Sequence, residues 1–320
     1  MPAQSRAPGG ALLLALLPAA ALAQAPDAIL PELTVVGRAP GSLTVPTVAE
    51  QRKQVEQTPA AARFIDAEEF RNRRAFTLRD VLADTPGLFV QDRYGQELRL
   101  SVRGSGIARG FHLRGLEVLQ DGIPVNLADG SGDFYQIDPL ALRSATVLPG
   151  GNALAYGAST LGGAINFTTP TAHTAEAPNI LRAEGGVWGT WRLSGQLSRV
   201  FGEADALANF SHFSTDGWRQ HSRGSYDQFN GNVGYRLSDA VETRFYAGIY
   251  DTRQLLPGTL TLNQALNTPA WPARRRWRAT RPATSRWSAS PTAPRCGSMP
   301  GRSTWTAGSS TSRSTTRSSR

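Results

Sequence analysis

Residues 191–200 read Trp191-Arg192-Leu193-Ser194-Gly195-Gln196-Leu197-Ser198-Arg199-Val200, and their alternation decides the fold. Successive side chains of a strand point to opposite faces. Trp191, Leu193, Gly195 and Leu197 therefore share one face, and Arg192, Ser194, Gln196 and Ser198 the other. The pattern returns in Phe229, Gly231, Val233, Tyr235 and Leu237 against Gln228, Asn230, Asn232 and Arg236. It returns again in Val241, Thr243, Phe245, Ala247 and Ile249 against Glu242, Arg244 and Tyr246. Strands of about ten residues, apolar on one face and polar on the other, are the pattern of a barrel that meets lipid outside and water inside. The connections add a direction. Gly202–Ala204 and Ser238–Ala240 are short, whereas Ser214–Ser225, which contains Asp216-Gly217-Trp218, is long. Barrels of this kind have short periplasmic turns and long external loops, while a soluble sandwich has no need to alternate them.

Upstream, Arg6 precedes the apolar run Ala11–Ala23, which closes on Ala21-Leu22-Ala23 before Gln24. A short basic region, an apolar stretch and an A-x-A end form a cleavable export signal, assigned to residues 1–23. The run is too short for a membrane anchor, which needs about 20 apolar residues, and Pro18 interrupts it.

Downstream, residues 271–320 hold eleven Arg with no Asp, Glu or Lys, and no Val, Ile, Leu, Phe or Tyr. Removing those eleven charges from the net +9 leaves −2 on the first 270 residues, so no basic face remains to recruit a nucleic acid. Four Trp in so polar a stretch, at 271, 277, 287 and 305, suggest a GC-rich reading frame translated out of register near Pro269. We read 271–320 as a non-native or disordered tail with no material for a core or a strand. The one cysteine, Cys296, lies there, and the rest of the chain can form no disulfide.

Between these ends, residues 24–50 form a Pro-interrupted linker in which Glu32-Leu33-Thr34-Val35-Val36-Gly37 is a β-prone run without a neighbouring partner. Asp66–Phe70 and Leu78–Ala83 have short amphipathic helical patterns, with Thr77 placed to cap the second and Pro86-Gly87 to stop it. Short strands then follow at Leu98–Val102, Glu117–Gln120, Ala145–Leu148 and Ala164–Phe167, separated by Gly-rich turns. The spacing predicts an α+β domain over 51–172 and about five barrel strands over 173–270.

The domain resembles the plug of TonB-dependent outer-membrane receptors, motif by motif and in order. Thr77-Leu78-Arg79-Asp80-Val81-Leu82 with Thr85-Pro86-Gly87-Leu88 is similar to the family's opening helix and its stop. Ser101-Val102-Arg103-Gly104 and His112-Leu113-Arg114-Gly115 resemble its paired Arg-Gly turns, and Asp121-Gly122-Ile123-Pro124-Val125 its Asp-Gly strand exit. Tyr156-Gly157 through Gly162-Gly163-Ala164-Ile165-Asn166-Phe167 resembles the closing signature; Pro149-Gly150-Gly151 stands where the family has Arg-Gly-Pro. The resemblance implies an α+β plug followed by the first strands of an antiparallel transmembrane β-barrel, truncated here, in an exported outer-membrane receptor. Its activity would be the uptake of a ferric chelate of the siderophore or ferric citrate type. Haem, cobalamin and other metal chelates are alternative cargoes, and a non-functional fragment of such a receptor is a third reading. The implied partners are a TonB-like periplasmic energy-coupling protein, the chelate and outer-membrane lipid.

Glu32, Leu33, Thr34, Val35 and Val36 resemble the Ton box, and a tethered strand-forming segment is what β-augmentation requires. Only eight residues, Gln24–Pro31, precede it after the cleavage site, too few for the periplasmic domain of signalling receptors. Candidate ligand contacts at the plug apex are Arg93, Arg109, Asp129, Asp133, Phe134 and Tyr135: Arg109 to pair an anionic chelate, Phe134 and Tyr135 to stack. No enzyme motif appears. Gly151–Ser159 lacks the Lys of a phosphate loop, Asp129–Asp133 lacks the Gly and distal Glu of a calcium loop, and the four His show no metal spacing, so no cofactor is expected.

Overall fold

A computed structural model of the protein describes residues 41–59, 61–73, 75–106, 113–132, 134–157, 159–270, 286–291 and 295–296. The expected export signal and Ton box lie outside the described residues.

The first domain opens with helix α1 (Val48–Glu56), β1 (Arg63–Asp66), α2 (Ala67–Phe70) and α3 (Leu78–Leu82). α1 was not foreseen, and the expected boundary between linker and domain at 50/51 falls inside it. Its start is written in the sequence: the Thr47 hydroxyl accepts from the Glu50 amide at 3.4 Å, and the Glu50 carboxylate accepts from the Thr47 amide at 2.8 Å, a reciprocal capping box. Next come β2 (Leu88–Tyr94), β3 (Glu97–Val102), β4 (Leu116–Gln120), β5 (Ile123–Pro124), β6 (Ser144–Pro149) and β7 (Gly163–Thr168).

β2 and β3 form a separate hairpin, while the other five strands make one sheet in the order β1-β6-β7-β4-β5. Only β4 and β7 are parallel, and both are largely buried, with Leu116, Val118, Ala164, Ile165 and Phe167 each 1% exposed or less. Phe70, Leu78, Leu82, Leu100, Ile137 and Ile165 close the core, each 3% exposed or less. β4 turns into β5 through Asp121 (φ 54°) and Gly122 (φ 77°), the two left-handed residues that an Asp-Gly hairpin turn demands. At Gly162 a Cβ would stand 2.1 Å from that of Ser105 and 2.9 Å from the Gly115 carbonyl oxygen, so the closing loop packs only around hydrogen.

Beyond residue 178 the chain is a meander: β8 (Asn179–Gly185), β9 (Trp191–Phe201), β10 (Ala204–Thr215), β11 (Gly224–Ser238) and β12 (Val241–Gln254), each antiparallel to the last. Five strands were expected here, with the observed turns. The registers stack residues into rows. Gly195, Phe210, Phe229 and Ile249 form one outward row, and Gln196, Asn209 and Asn230 the inward row beside it. The two faces invert the soluble rule. Inward Gln228, Asn232, Arg192 and Arg244 are 0–3% exposed, whereas outward Leu197, Val233, Phe245 and Ile249 are 52–63% exposed. A sandwich buries its apolar faces. This sheet instead buries its polar face against the first domain and presents the apolar face outward, as a strand crossing lipid must.

The expectation that residues 271–320 contain no strand is corrected. β13 (Arg286–Pro291) pairs with β12 from Phe245↔Pro291 to Tyr250↔Arg286, and β14 (Arg295–Cys296) pairs with its start. Ladder bonds are made by the main chain, so the free edge of β12 recruits extended backbone without needing β-forming side chains. A short helix, α4 (Leu262–Asn267), precedes this segment. Among the described residues the sheet of seven strands stays open, with β8 at one edge.

Candidate functional site

Three features stand where the first domain meets the wall sheet. The densest surrounds Arg244, which is fully buried. Its guanidinium donates to Asp205 at 2.7 and 2.8 Å, to Asn232 Oδ1 at 2.7 Å, to Glu242 at 2.8 Å and to the Thr44 hydroxyl at 2.9 Å. Glu242 in turn accepts from the Ser42 hydroxyl (2.8 Å), the Leu43 amide (2.7 Å) and the Thr44 hydroxyl (2.7 Å). Arg236 donates to the Gly41 carbonyl, and Arg143 to that of Pro46 at 2.6 Å. Gly234 makes this possible, because a Cβ there would lie 2.3 Å from an Arg244 nitrogen and 2.4 Å from an Asp205 oxygen. Residues 41–44, expected to be linker, are thus fastened to β11 and β12, and Pro46 to Arg143 of the first domain.

Beside this cluster the Asp121 carboxylate accepts from the Thr169 amide (2.7 Å) and hydroxyl (2.8 Å). Burial pushes its pKa up to about 7, against the pull of those bonds and of Arg143 and Arg244.

At the far end of the wall, Arg192 donates to the Ala75 carbonyl at 2.6 Å and to Glu184 at 2.6 Å, and lies over the Phe76 ring 4.6 Å from its centroid. Phe76 meets Phe213, which stacks on Tyr226 at 4.8 Å. Apart from these contacts, the long loop Asp216–Arg223 with Leu255 lines an open pocket of about 460 Å³ to which the first domain contributes no residue. It carries the aromatic face of Trp218, 54% exposed, and the cationic Arg219 and Arg223. This pocket was missed, although the loop's length and its Trp-Arg pair were visible signals.

The sequence-predicted apex residues are not brought together among the described residues. Arg109 and Asp133 lie outside them, as do Glu32, Leu33, Thr34, Val35 and Val36, and of Arg93 only the backbone, within β2, is described. Asp129 is exposed and closes its own turn, accepting from the Ser131 amide at 2.9 Å and hydroxyl at 2.6 Å. Phe134 is 4% exposed within the domain core, so it offers no stacking face; an aromatic in a Gly-rich loop reads alike whether it anchors the loop or meets a ligand. Tyr135 is half-buried, and its carbonyl accepts from Gln228 of the wall.

Residues 54–164 match the model of the TonB-dependent Receptor Plug Domain. This part of the chain is thus similar to a TonB-dependent receptor plug. β1 to β6 and the start of β7 fall within the matched residues, and the meander follows them. The vitamin B12 transporter BtuB of Vibrio vulnificus (strain CMCP6) is 23% identical over 218 residues, covering 62% of this chain and 35% of that protein. The hemin receptor of Yersinia enterocolitica is 27% identical over 131 residues, 40% of this chain and 18% of the receptor. The crystal structure of the unliganded ferric citrate transporter FecA superposes with a TM-score of 0.58 at 20% identity, over 79% of this chain and 38% of that one. The chain thus spans less than two fifths of the length of each of these proteins, and the FecA likeness is one of fold.

Proposed function

We propose that this protein is part of an outer-membrane receptor that imports a ferric chelate of the siderophore or ferric citrate type. The observation that carries the reading is the inverted wall, with polar residues sealed against the plug and an apolar face outward. A plug held in a wall by hydrogen bonds rather than by apolar packing can be moved without exposing a hydrophobic core to water. The division of labour we propose gives residues 1–23 to export, 24–50 to coupling, 51–172 to the plug and 173–270 to the first barrel strands. Glu32, Leu33, Thr34, Val35 and Val36 offer a strand to a TonB-like periplasmic partner. The chelate is bound outside by the Asp216–Arg223 pocket together with Arg93, Arg109, Asp129, Asp133 and Tyr135 of the plug apex. Cationic and aromatic groups suit an anionic chelate with ring or carboxylate donors. The names of the relatives, a vitamin B12 transporter and a hemin receptor, support cobalamin or haem as the second reading.

The test is uptake of radiolabelled iron from a panel of chelates, with haem and cobalamin alongside, by cells producing the receptor from a coding sequence with its downstream frame restored. Val35→Pro removes a ladder donor. It should abolish uptake and leave binding at the cell surface intact. Undiminished uptake in that variant would sink the assignment of the coupling strand. Mass spectrometry of the membrane-borne protein should find Gln24 as the mature terminus.

A further inference from the structure

Gln254 is the last residue of β12, and its side chain lies between two parts of the molecule that are far apart in sequence. Its Nε2 donates to the carbonyls of Leu255 at 3.0 Å, Ser222 at 3.2 Å and Arg223 at 3.5 Å. Carbonyls only accept, so these contacts fix the nitrogen toward the long loop and leave Oε1 to face elsewhere. That oxygen stands against two glycines. A Cβ on Gly224 would lie 2.3 Å from it, and one on Gly95, in the turn of the β2–β3 hairpin, 2.8 Å. One carboxamide therefore holds the end of the Asp216–Arg223 loop and bears on the first domain.

The loop is packed so that a shift at the pocket reaches this carboxamide. A Cβ on Gly217 would lie 2.1 Å from Ser222 Oγ and 2.8 Å from the Ser222 carbonyl oxygen, the same oxygen that Gln254 holds. The loop is also pinned outside itself, by the Asp216 amide on the Trp188 carbonyl at 2.9 Å and the Gln220 amide on that of Ala270 at 2.8 Å. Close packing passes a displacement on rather than absorbing it. The pocket takes no residue from the first domain, so its filling is felt there through contacts at its edge, and Gln254 makes one of them. On the receiving side, β2 and β3 stand apart from the five-stranded sheet, and their turn can shift without breaking that sheet's ladder. The hairpin is tied onward to α3, where Asp92 accepts from the Thr77 hydroxyl at 3.2 Å and from Arg79 at 3.4 Å.

We propose that Gln254 is a positioning residue that couples the pocket loop to the β2–β3 hairpin. Its nitrogen follows the Ser222 and Arg223 carbonyls, and its oxygen presses on or withdraws from Gly95 as they move. An anionic chelate that draws Arg219 and Arg223 toward itself thereby changes the hairpin without touching it. The use of this coupling in import rests on the reading above; the coupling itself does not.

The test needs no ligand. Gly217→Ala drives a Cβ into Ser222 and imitates a displaced loop. Hydrogen exchange is read by mass spectrometry on the receptor in detergent micelles, produced with its downstream frame restored. With Gln254 present, Gly217→Ala should speed exchange at residues 94–98 at least about threefold, and in a Gln254→Ala background it should leave those amides as they were. The ratio within each background cancels whatever stability Gln254→Ala itself removes. Equal acceleration in both backgrounds, or none with Gln254 present, overturns the coupling. Coupling is reciprocal. Gly95→Ala, which presses on Gln254 from the hairpin side, should therefore speed exchange at residues 222–224. This variant gives the answer where Gln254→Ala does not fold, and an unchanged loop overturns the proposal. Uptake is a separate arm. Undiminished uptake in Gln254→Ala refutes the use of the coupling in import, whereas a receptor that imports nothing from the panel above refutes the import reading and leaves the exchange result standing.

Discussion

Arg244 is held by partners that lie as far as two hundred residues away, Thr44 among them. In the sequence it reads only as one polar member of an alternating strand. Nothing local tells that Thr44, Asp205, Asn232 and Glu242 converge on it, because the convergence is a product of registers and of where the plug sits. The same blindness hid the burial of Phe134. What the sequence did disclose at this scale were residues whose role is set by their immediate neighbours, such as Asp121 beside Gly122 and Thr47 three residues before Glu50. Replacing Arg244 by Met keeps its length and removes its charge, leaving the buried Asp205 and Glu242 without their nearest cation. We expect a loss of about 3–5 kcal/mol in unfolding free energy, with much of it recovered when Asp205→Asn and Glu242→Gln are added. Asp121 makes a prediction about pH. Its folded pKa of about 7 lies above the ordinary 3.8, so the fold favours the protonated carboxyl and loses stability as pH rises through that interval. The stability of the wild type relative to Asp121→Asn should therefore fall from pH 4 toward pH 7 and level off beyond, as read by thermal unfolding across pH. A constant difference would place the titration elsewhere.

Among elements, the wall strands were the most legible, since a period of two over β9, β11 and β12 admits few other structures. Four plug strands, β3, β4, β6 and β7, were expected to within one residue of their ends, helped by Gly-rich turns, whereas β1, β2 and β5 were not foreseen. α1 was overlooked because its residues, Val48–Glu56, have no buried face: no residue of the helix is buried, so no apolar stripe announces it. Its stability therefore leans on its cap. Thr47→Ala should cost about 0.5–2 kcal/mol of local stability. Hydrogen exchange across 48–56 should accelerate accordingly while β4 and β7 exchange as before, and unchanged exchange would show that the cap is dispensable. β13 escaped for a different reason, because its pairing comes from the open edge of β12 and not from its own side chains.

At the scale of the molecule, the seven wall strands among the described residues do not close, whereas barrels with a plugged lumen have about 22. In lipid, an open edge leaves backbone groups unsatisfied at several kcal/mol each. We therefore expect the sequence as written to migrate identically on a gel before and after boiling. A frame correction of one or two bases near the codon for Pro269 should restore the alternating strands and the heat-dependent shift of a closed barrel. Other frames that show only stops and no alternation would refute the register-shift reading. The inverted wall also constrains how this gene can change over generations. Its rows run across β9–β12 with one irregularity at Arg236–Ser238, and the strands alternate between an apolar outward face and a polar face against the first domain, so losing one codon inside a strand turns every later residue of that strand inside out. Length differences among descendants of this gene should then fall in even steps within strands and in any step within 216–223, a parity that records the membrane in the pattern of insertions and deletions.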